Sequence, residues 1–304
     1  MPGRGLLSID DLEPAELRAL VDETLAPRTE RVAAVVGLFF LQPSTRTRLG
    51  FQAAVARLGG QSVELQELKE TGQMSSGESW ADTVRSVGPY FDAVCVRHPD
   101  PYATAEAGEL LPDVPVINCG NGTDEHPTQS VADLAAIARY AKLSPHGLRV
   151  TVAGDLRYMR AAHSLVLALA KVGGVCVTGV SPGPLALPER YSATLDGNGG
   201  TFRTAATLEE ALDTDVLYMA GFAPRTPAGE WDDASRRPYR LTASVARQLP
   251  ADSVILCPLP RVDEIESEVD VLPQARYFEQ SELALHARVA VLRRALAPPV
   301  SPDR

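Results

Sequence analysis

Lysine is nearly missing from this chain of 304 residues. Lys69, Lys142 and Lys171 stand against 26 arginines, a bias of the kind that genomic base composition imposes. Basic residues as a whole are outnumbered, 29 against 39 acidic ones, and the net charge of −10 argues against nucleic acid or an anionic membrane surface as the main partner. A positive pocket inside an acidic chain is still consistent, because a site's field depends on its nearest groups. Cysteine is scarce too: Cys95, Cys119, Cys176 and Cys257 show no CxxC or other metal-binding spacing. Cys95 and Cys176 lie in apolar runs and read as buried thiols. No Gly-x4-Gly-Lys-Ser/Thr loop occurs, and no third glycine follows Gly120-Asn121-Gly122 at dinucleotide-binding spacing. An apolar stretch of membrane length and an N-terminal signal pattern are lacking, so the expected location is the reducing cytoplasm. What remains is an ordinary globular composition, 45% hydrophobic and 22% charged, long enough for two domains.

Against that background two short segments stand out. Ser44-Thr45-Arg46-Thr47-Arg48 follows the apolar run Val35 to Leu41, which has the pattern of a buried parallel strand. Pro43 ends the run because it has no N–H for the ladder. Ser44 and Thr45 suit a helix N-cap, and Phe51, Val55 and Leu58 continue a helical period. The segment therefore sits at a strand-to-helix turn, where free backbone N–H groups and the positive end of the helix dipole face outward. Three hydroxyls and two guanidiniums added there make a phosphate clamp, since the planar arginine fork can grip two oxygens at once. The plain alternative is a capped surface helix with ordinary charges. The second segment, His126-Pro127-Thr128-Gln129, follows the Gly-rich turn Cys119-Gly120-Asn121-Gly122. A lone histidine more often has a structural role, but this context favours a site. Together the two segments describe a pocket for a small, strongly anionic molecule with a carbonyl-polarising group nearby.

The rest of the chain alternates helices and short apolar strands. Helices are predicted over 12–25, 77–87, 127–142, 161–172 and 281–296, and strands over 61–65, 93–97, 114–118, 148–154, 175–180, 216–219 and 254–257. Ser44, Arg97 and His126 all follow or end strands, where open α/β sheets bind ligands. Ser144-Pro145-His146-Gly147 breaks the long helix and marks a domain boundary. Gly221 to Tyr239, rich in Pro, Gly and charge, reads as a mobile loop, and the tail from Pro298 as disordered.

Six stretches in order carry a family likeness from about Leu7 to about Leu296. They are Ser44–Arg48, Arg97-His98-Pro99, His126–Gln129, Gly154-Asp155-Leu156-Arg157-Tyr158, Arg160-Ala161-Ala162-His163-Ser164 and Pro258-Leu259-Pro260-Arg261-Val262-Asp263-Glu264-Ile265. The chain resembles the aspartate/ornithine carbamoyltransferase family, and the last stretch leans to the aspartate branch. The resemblance implies an α/β fold of two domains, each a parallel sheet flanked by helices. Residues 1–142 would bind carbamoyl phosphate, residues 143–280 would bind an amine acceptor, and the C-terminal helix in 281–304 would pack back on the first domain. It further implies carbamoyl transfer without metal or organic cofactor, and a homotrimer with shared active sites. Carried over by position, Ser44, Thr45, Arg46 and Thr47 would hold the phosphate with help from Arg97. His126, with Thr47 and Arg97, would contact the carbonyl oxygen, and Gln129 would bind the carbamoyl NH2. The Pro258 and Leu259 carbonyls would orient that amide and the incoming amine, and Arg160 would bind an α-carboxylate. Fixed donors aimed at a tetrahedral oxyanion, and alignment of donor with amine, suit that chemistry.

The departures from the family pattern cluster on the acceptor side. In the stretch Thr71-Gly72-Gln73-Met74-Ser75-Ser76-Gly77-Glu78, Gly72 and Ser76 replace a serine and a lysine that reach into a neighbouring subunit's site. Gly221 and Ala223 replace an Arg and a Gln that bind aspartate's side-chain carboxylate, and the nearest remaining cation is Arg225. Gln42 replaces a domain-closing glutamate, and Cys257 replaces the histidine before Pro-Leu-Pro. A carboxylate buried without a partner is costly, so the acceptor expected first is an amino-acid-like amine other than aspartate, with Phe222 and Trp231 as a less polar wall. True aspartate transfer, with Arg225 substituting, and a catalytically silent anion-binding paralogue are the alternatives. The ornithine branch fits poorly, since its Ser-Met-Gly and His-Cys-Leu-Pro signatures are missing.

Overall fold

The computed structural model describes residues 5–65, 76–141, 147–222 and 225–297. The domain boundary expected near 142, most of the shared-loop stretch, Ala223 and the tail from Pro298 lie outside them.

The chain opens with helix α1 (Pro14–Leu25), whose Glu13 and Glu16 form a reciprocal capping box around Pro14. A parallel sheet follows in the order β2-β1-β3-β4: β1 (Val35–Phe40), β2 (Gln61–Leu65), β3 (Ala93–His98) and β4 (Val116–Asn121). Its connections run through α2 (Thr45–Arg57), α3 (Trp80–Val87) and α4 (Ala103–Leu110). Helix α5 (Pro127–Tyr140) leads to a second parallel sheet. This has the order β11-β8-β5-β6-β7, built from β5 (Arg149–Gly154), β6 (Cys176–Val180), β7 (Thr201–Ala205), β8 (Val216–Gly221) and β11 (Val254–Leu256). Helices α6 (Arg160–Val172) and α7 (Glu189–Gly197) connect its early strands. The short pair β9 (Arg225–Thr226) and β10 (Gly229–Glu230), with α8 (Asp233–Arg236) and α9 (Ala243–Ala246), precedes β11. The long helix α10 (Tyr277–Leu296) then returns to pack on α5, α2 and α1. Two sheets flanked by helices, with the last helix on the first sheet's side, are the architecture the resemblance implies.

Burial explains the arrangement. The inner strands are apolar runs closed on both faces, as parallel sheets require. Every residue of α5 from Pro127 to Ile137 is buried, because the helix is wedged between the two sheets with α6 and α10 against it. One continuous core joins Leu38 of β1, Ile137 of α5, Leu165 of α6 and Leu292 of α10. Each such aliphatic side chain contributes about 1.5–3 kcal/mol through burial. The C-terminal ends of β1, β3 and β4 thus face a crevice closed on its other side by the second sheet.

Several elements differ from the pattern reading. Helix α3 starts at Trp80 because Ser79 caps it, accepting a hydrogen bond from the Asp82 amide at 3.1 Å. The Gly-rich turn at 119–122 is the end of β4, which runs through Asn121 across a register shift against β3. The described residues from 225 to 239 carry regular structure where a loose loop is expected. Gly229, at φ +128°, permits the β9–β10 turn, and Phe222 stacks on Tyr239 and packs its edge against Trp231. Helices α4 and α7 and edge strand β7 carry weak periodicity and are not evident in the sequence. No helix among the described residues is long and apolar enough to cross a membrane.

Gly154 ends β5 at φ +122°, and a Cβ there would stand 2.4 Å from the Gly221 carbonyl oxygen. Gly154→Ala is expected to lower unfolding free energy by about 3 kcal/mol, from backbone strain plus a clash with rigid backbone. Gly183→Ala, with open space at its Cβ, should stay within about 0.5 kcal/mol of wild type. Urea unfolding of the two variants checks the contrast.

Candidate active site

The crevice between the sheets is a cavity of about 530 Å³. It gathers ten of the eleven residues singled out as site candidates: Ser44, Thr45, Arg46, Thr47, Arg97, His126, Gln129, Arg160, Pro258 and Leu259. The eleventh, Arg225, opens β9, and its side chain lies outside the described ones. Phe222 and Trp231 do not line the cavity either, so the expected aromatic wall is not there. They bury each other instead. Arg48, read as a second clamp guanidinium, turns away to Glu64 at 3.2 Å. The helical period sends positions 46 and 48 to different faces.

At the turn into α2, Ser44 has the extended backbone of an N-cap, but its hydroxyl caps nothing. The first amides of the helix and the hydroxyls of Ser44, Thr45 and Thr47 are therefore grouped at the cavity beside Arg46. Arg97, near the end of β3, donates to the Cys119 carbonyl at 3.0 Å. Arg160, at the start of α6, donates to Gln42 Oε1 at 2.9 Å and to the Gly122 carbonyl at 2.8 Å. Both guanidiniums pass over Gly120, where a Cβ would lie within 3 Å of each. Glycine is needed there twice over, for that clearance and for φ +113°.

A fourth arginine was not legible in the sequence. Arg288, three turns into α10, is buried and lines the cavity from the helix side. It packs so closely over Gly50 of α2 that a Cβ there would stand 2.4 Å from Nη1. Its position in an amphipathic helix gave no hint, because only the return of that helix carries it into the crevice. Among the described residues the lining thus includes Arg46, Arg97, Arg160 and Arg288 and no carboxylate. Arg97 and Arg288 are each pulled down to about 10, first by burial, with the positive charge of Arg46 acting in the same direction. Arg160 is pulled down to about 9 by burial and by Arg97. All three remain protonated at pH 7. Two guanidiniums within about 6 Å of each other repel by about 3 kcal/mol at an effective dielectric near 20. The neutral Gln42 amide satisfies Arg160 without cancelling its charge. The Nε atoms of Arg97 and Arg288 are buried without a hydrogen-bond partner. Such a site favours a compact polyanion.

His126, at the start of α5, is buried. Burial first, then Arg160, Arg97 and Arg288, hold it well below its ordinary value, so its imidazole is neutral at pH 7. Nε2 lies 3.4 Å from Thr47 Oγ1 and Nδ1 lies 3.3 Å from Thr128 Oγ1. Its backbone amide donates to Ser164 Oγ, which in turn donates to buried Glu125. Gln129, one turn on, donates from Nε2 to Asp133 at 2.8 Å. Across the cavity, Leu259 holds φ +52°, an uncommon conformation for a leucine, and its amide lies 3.4 Å from Cys257 Sγ. Burial pushes the Cys257 thiol up to about 12, so it is not a nucleophile at neutral pH.

Two facing α/β domains, with a cationic crevice at their strand ends, define a protein that binds a small polyanion between its domains. Residues 4–139 match the carbamoyl-P binding domain of aspartate/ornithine carbamoyltransferases, and residues 146–294 match their Asp/Orn binding domain. The chain belongs to the aspartate/ornithine carbamoyltransferase family and is an aspartate carbamoyltransferase-like enzyme. The aspartate carbamoyltransferase catalytic subunit of Methanopyrus kandleri is 40% identical, covering 95% of this chain and 96% of that protein. The subunit of Chromobacterium violaceum is 39% identical over 94% and 96%. Among solved structures, aspartate transcarbamoylase from Trypanosoma cruzi, in complex with carbamoyl phosphate and aspartate, superposes with a TM-score of 0.87. It is 29% identical over 97% of this chain and 96% of that one. The catalytic subunit from M. jannaschii gives 0.84 at 34% identity, over 96% and 97%.

Gly120→Ala is expected to displace both Arg97 and Arg160 and to weaken phosphate binding at least tenfold, read by isothermal titration calorimetry. Burial holds Asp133 and Glu125 each up at about 7, above the unfolded value near 4. Their favourable contribution is complete below pH 4 and disappears as pH rises through 7. Between pH 5 and 8, Asp133→Asn and Glu125→Gln should each lose less thermal stability than wild type, as followed by scanning calorimetry.

Proposed function

We propose that this chain moves the carbamoyl group of carbamoyl phosphate onto the amino group of an amino-acid-like acceptor that lacks aspartate's distal carboxylate. The observation that carries the donor half is the crevice itself: four arginines, three hydroxyls and the open end of α2 converge with no carboxylate among them. In this reading Ser44, Thr45, Arg46 and Thr47 hold the phosphate with Arg97, and Arg288 adds charge from the far side. Neutralised phosphate leaves without an acid catalyst. The Thr128 hydroxyl donates to Nδ1 of His126, so that Nε2–H, together with Thr47 and Arg97, faces the carbamoyl oxygen as charge builds on it. Gln129 receives the carbamoyl NH2. The Pro258 and Leu259 carbonyls align that group and the incoming amine, and Arg160 takes the acceptor's α-carboxylate. The donor half belongs to residues 1–142 and the acceptor half to 143–280.

The acceptor assignment rests on the end of β8. Gly221 stands where the family resemblance calls for a guanidinium, and a Cβ there would lie 3.6 Å from Glu264 Oε1. A distal carboxylate directed to Gly221 would find no guanidinium from that position, at a cost of several kcal/mol if it is buried unpaired. The likeness to named aspartate carbamoyltransferases at 40% identity supports a second reading, transfer to aspartate itself. A homotrimer completes the proposal.

Phosphate release from carbamoyl phosphate across a panel of α-amino acids is expected to be fast with neutral or basic side chains and at least tenfold slower with aspartate. Fast release with aspartate alone would establish the second reading, and no release with any amine would leave an anion-binding paralogue. Arg46→Ala should lower carbamoyl-phosphate affinity by two orders of magnitude, since a charge-assisted bidentate contact is lost. Unchanged affinity in that variant would remove the donor pocket.

A further inference from the structure

One buried carboxylate touches both walls of the cavity without lining it. Asp133 lies on α5, four residues after Gln129, and is wholly buried. Its Oδ1 accepts from Gln129 Nε2 at 2.8 Å and from Gln280 Nε2 at 2.6 Å. Its Oδ2 accepts from the Tyr218 hydroxyl at 2.9 Å. Gln280, on α10, uses its own Oε1 to accept from the Cys257 amide at 2.8 Å. Three elements therefore meet on one side chain, α5, β8 and α10, and Gln280 links it to a fourth, the segment leaving β11.

The chemistry of a carboxylate decides which way each amide points. An ionised carboxylate accepts and does not donate, so each glutamine must turn Nε2 toward it and Oε1 away. For Gln280 the released Oε1 ties down Cys257, immediately before Pro258 and Leu259. For Gln129 the released Oε1 is the amide atom that Asp133 leaves for the cavity. An amide oxygen there accepts from an NH2 group and gains nothing from a methyl group of the same size. The opposite flip would present an NH2 to an NH2.

We propose that Asp133 is a positioning residue that sets donor specificity: by locking the amide flip of Gln129 and, through Gln280, the placement of the Cys257–Leu259 segment, it makes the site read the NH2 of a carbamoyl group and reject an acetyl group of equal shape. The inference rests on the donor-site reading above and goes beyond it. Burial and the three donors oppose each other at this carboxyl and hold it near 7, so the lock is fully set on the alkaline side of neutrality. Tyr218 OH is a third donor that fills Oδ2, which leaves Oδ1 as the shared acceptor for the two glutamines.

The test uses binding, so that no acceptor is needed. Phosphonoacetamide carries the NH2, acetonylphosphonate replaces it by CH3, and inorganic phosphate probes the anion subsite alone. Calorimetry at pH 8 should show wild type preferring the amide to the ketone by at least tenfold. Asp133→Ala, whose vacated space admits water of either hydrogen-bond sense, should reduce that preference to threefold or less. The loss should fall on the amide, with ketone and phosphate affinities within twofold of wild type. Asp133→Asn should keep most of the preference, because its carbonyl oxygen still accepts both Nε2 groups while Tyr218 turns to accept from its NH2. Gln280→Met, which leaves the Gln129 contact intact, should give an intermediate preference, and it stands as the second variant if Asp133→Ala does not fold. A preference retained in Asp133→Ala, or equal loss of all three anions, would overturn the proposal, as would no amide preference in wild type or none lost in Gln280→Met. If wild type binds none of the three anions, the donor-site reading itself fails, which is a separate result.

Discussion

Positive charge that the fold does not neutralise governs this molecule. Arg288 is buried and Arg97 and Arg160 are half-buried; all three look into one crevice, and Arg46 joins them from the mouth of α2. Their own partners are neutral: the Cys119 and Gly122 carbonyls and the Gln42 amide. A stability-driven site would pair these cations with carboxylates, as Arg48 is paired with Glu64 and Arg261 with Asp270 elsewhere in the chain. Leaving them unpaired carries a repulsive cost of a few kcal/mol, which a dianionic ligand removes. The rest of the site is subordinate to that field. It adds to burial in keeping His126 neutral, and it requires glycine at 120 because two guanidiniums must cross the same stretch of backbone.

The scaffold makes such a concentration possible by supplying each cation from a different element. One arginine comes from a helix start, one from a strand end, one from the first turn of a second-sheet helix and one from the terminal helix. Each element is anchored in the shared core, so repulsion among the side chains cannot push them apart. Helix α5 is the central member of this frame. Its buried N-terminus carries His126 and Gln129, and one turn later Asp133 joins it to β8, α10 and the segment after β11. Rigidity around Gln129 and charge around the arginines are complementary properties, one from a hydrogen-bonded hub and the other from an unpaired cation cluster.

The acceptor side follows different rules. Gly221 and Gly154 bring two backbones together at the edge of the second sheet, and Glu264 lies beside them. Phe222 packs on Trp231 and on Tyr239, and neither Phe222 nor Trp231 lines the cavity. Its shape there comes from Tyr158, Met159, Pro258 and Leu259.

Local chemistry in the sequence was sufficient for the strand-to-helix turn at Ser44, the strand ending at Arg97, the helix opened by His126-Pro127 and the alternation that makes two parallel sheets. In each case a proline, a cap or an apolar run acts over a few residues. The sequence could not show which way an arginine on a helix points once that helix has packed, and so Arg48 was miscounted and Arg288 passed over. Phe222 and Trp231 were likewise placed by hydrophobicity, when mutual burial was the stronger demand. The strand-to-helix turn at Ser44 and its hydroxyls were therefore determined by the sequence alone. The site's charge, its neutral histidine and the direction of its glutamine amide were decided by tertiary structure, because burial and hydrogen-bond direction exist only after distant elements have met.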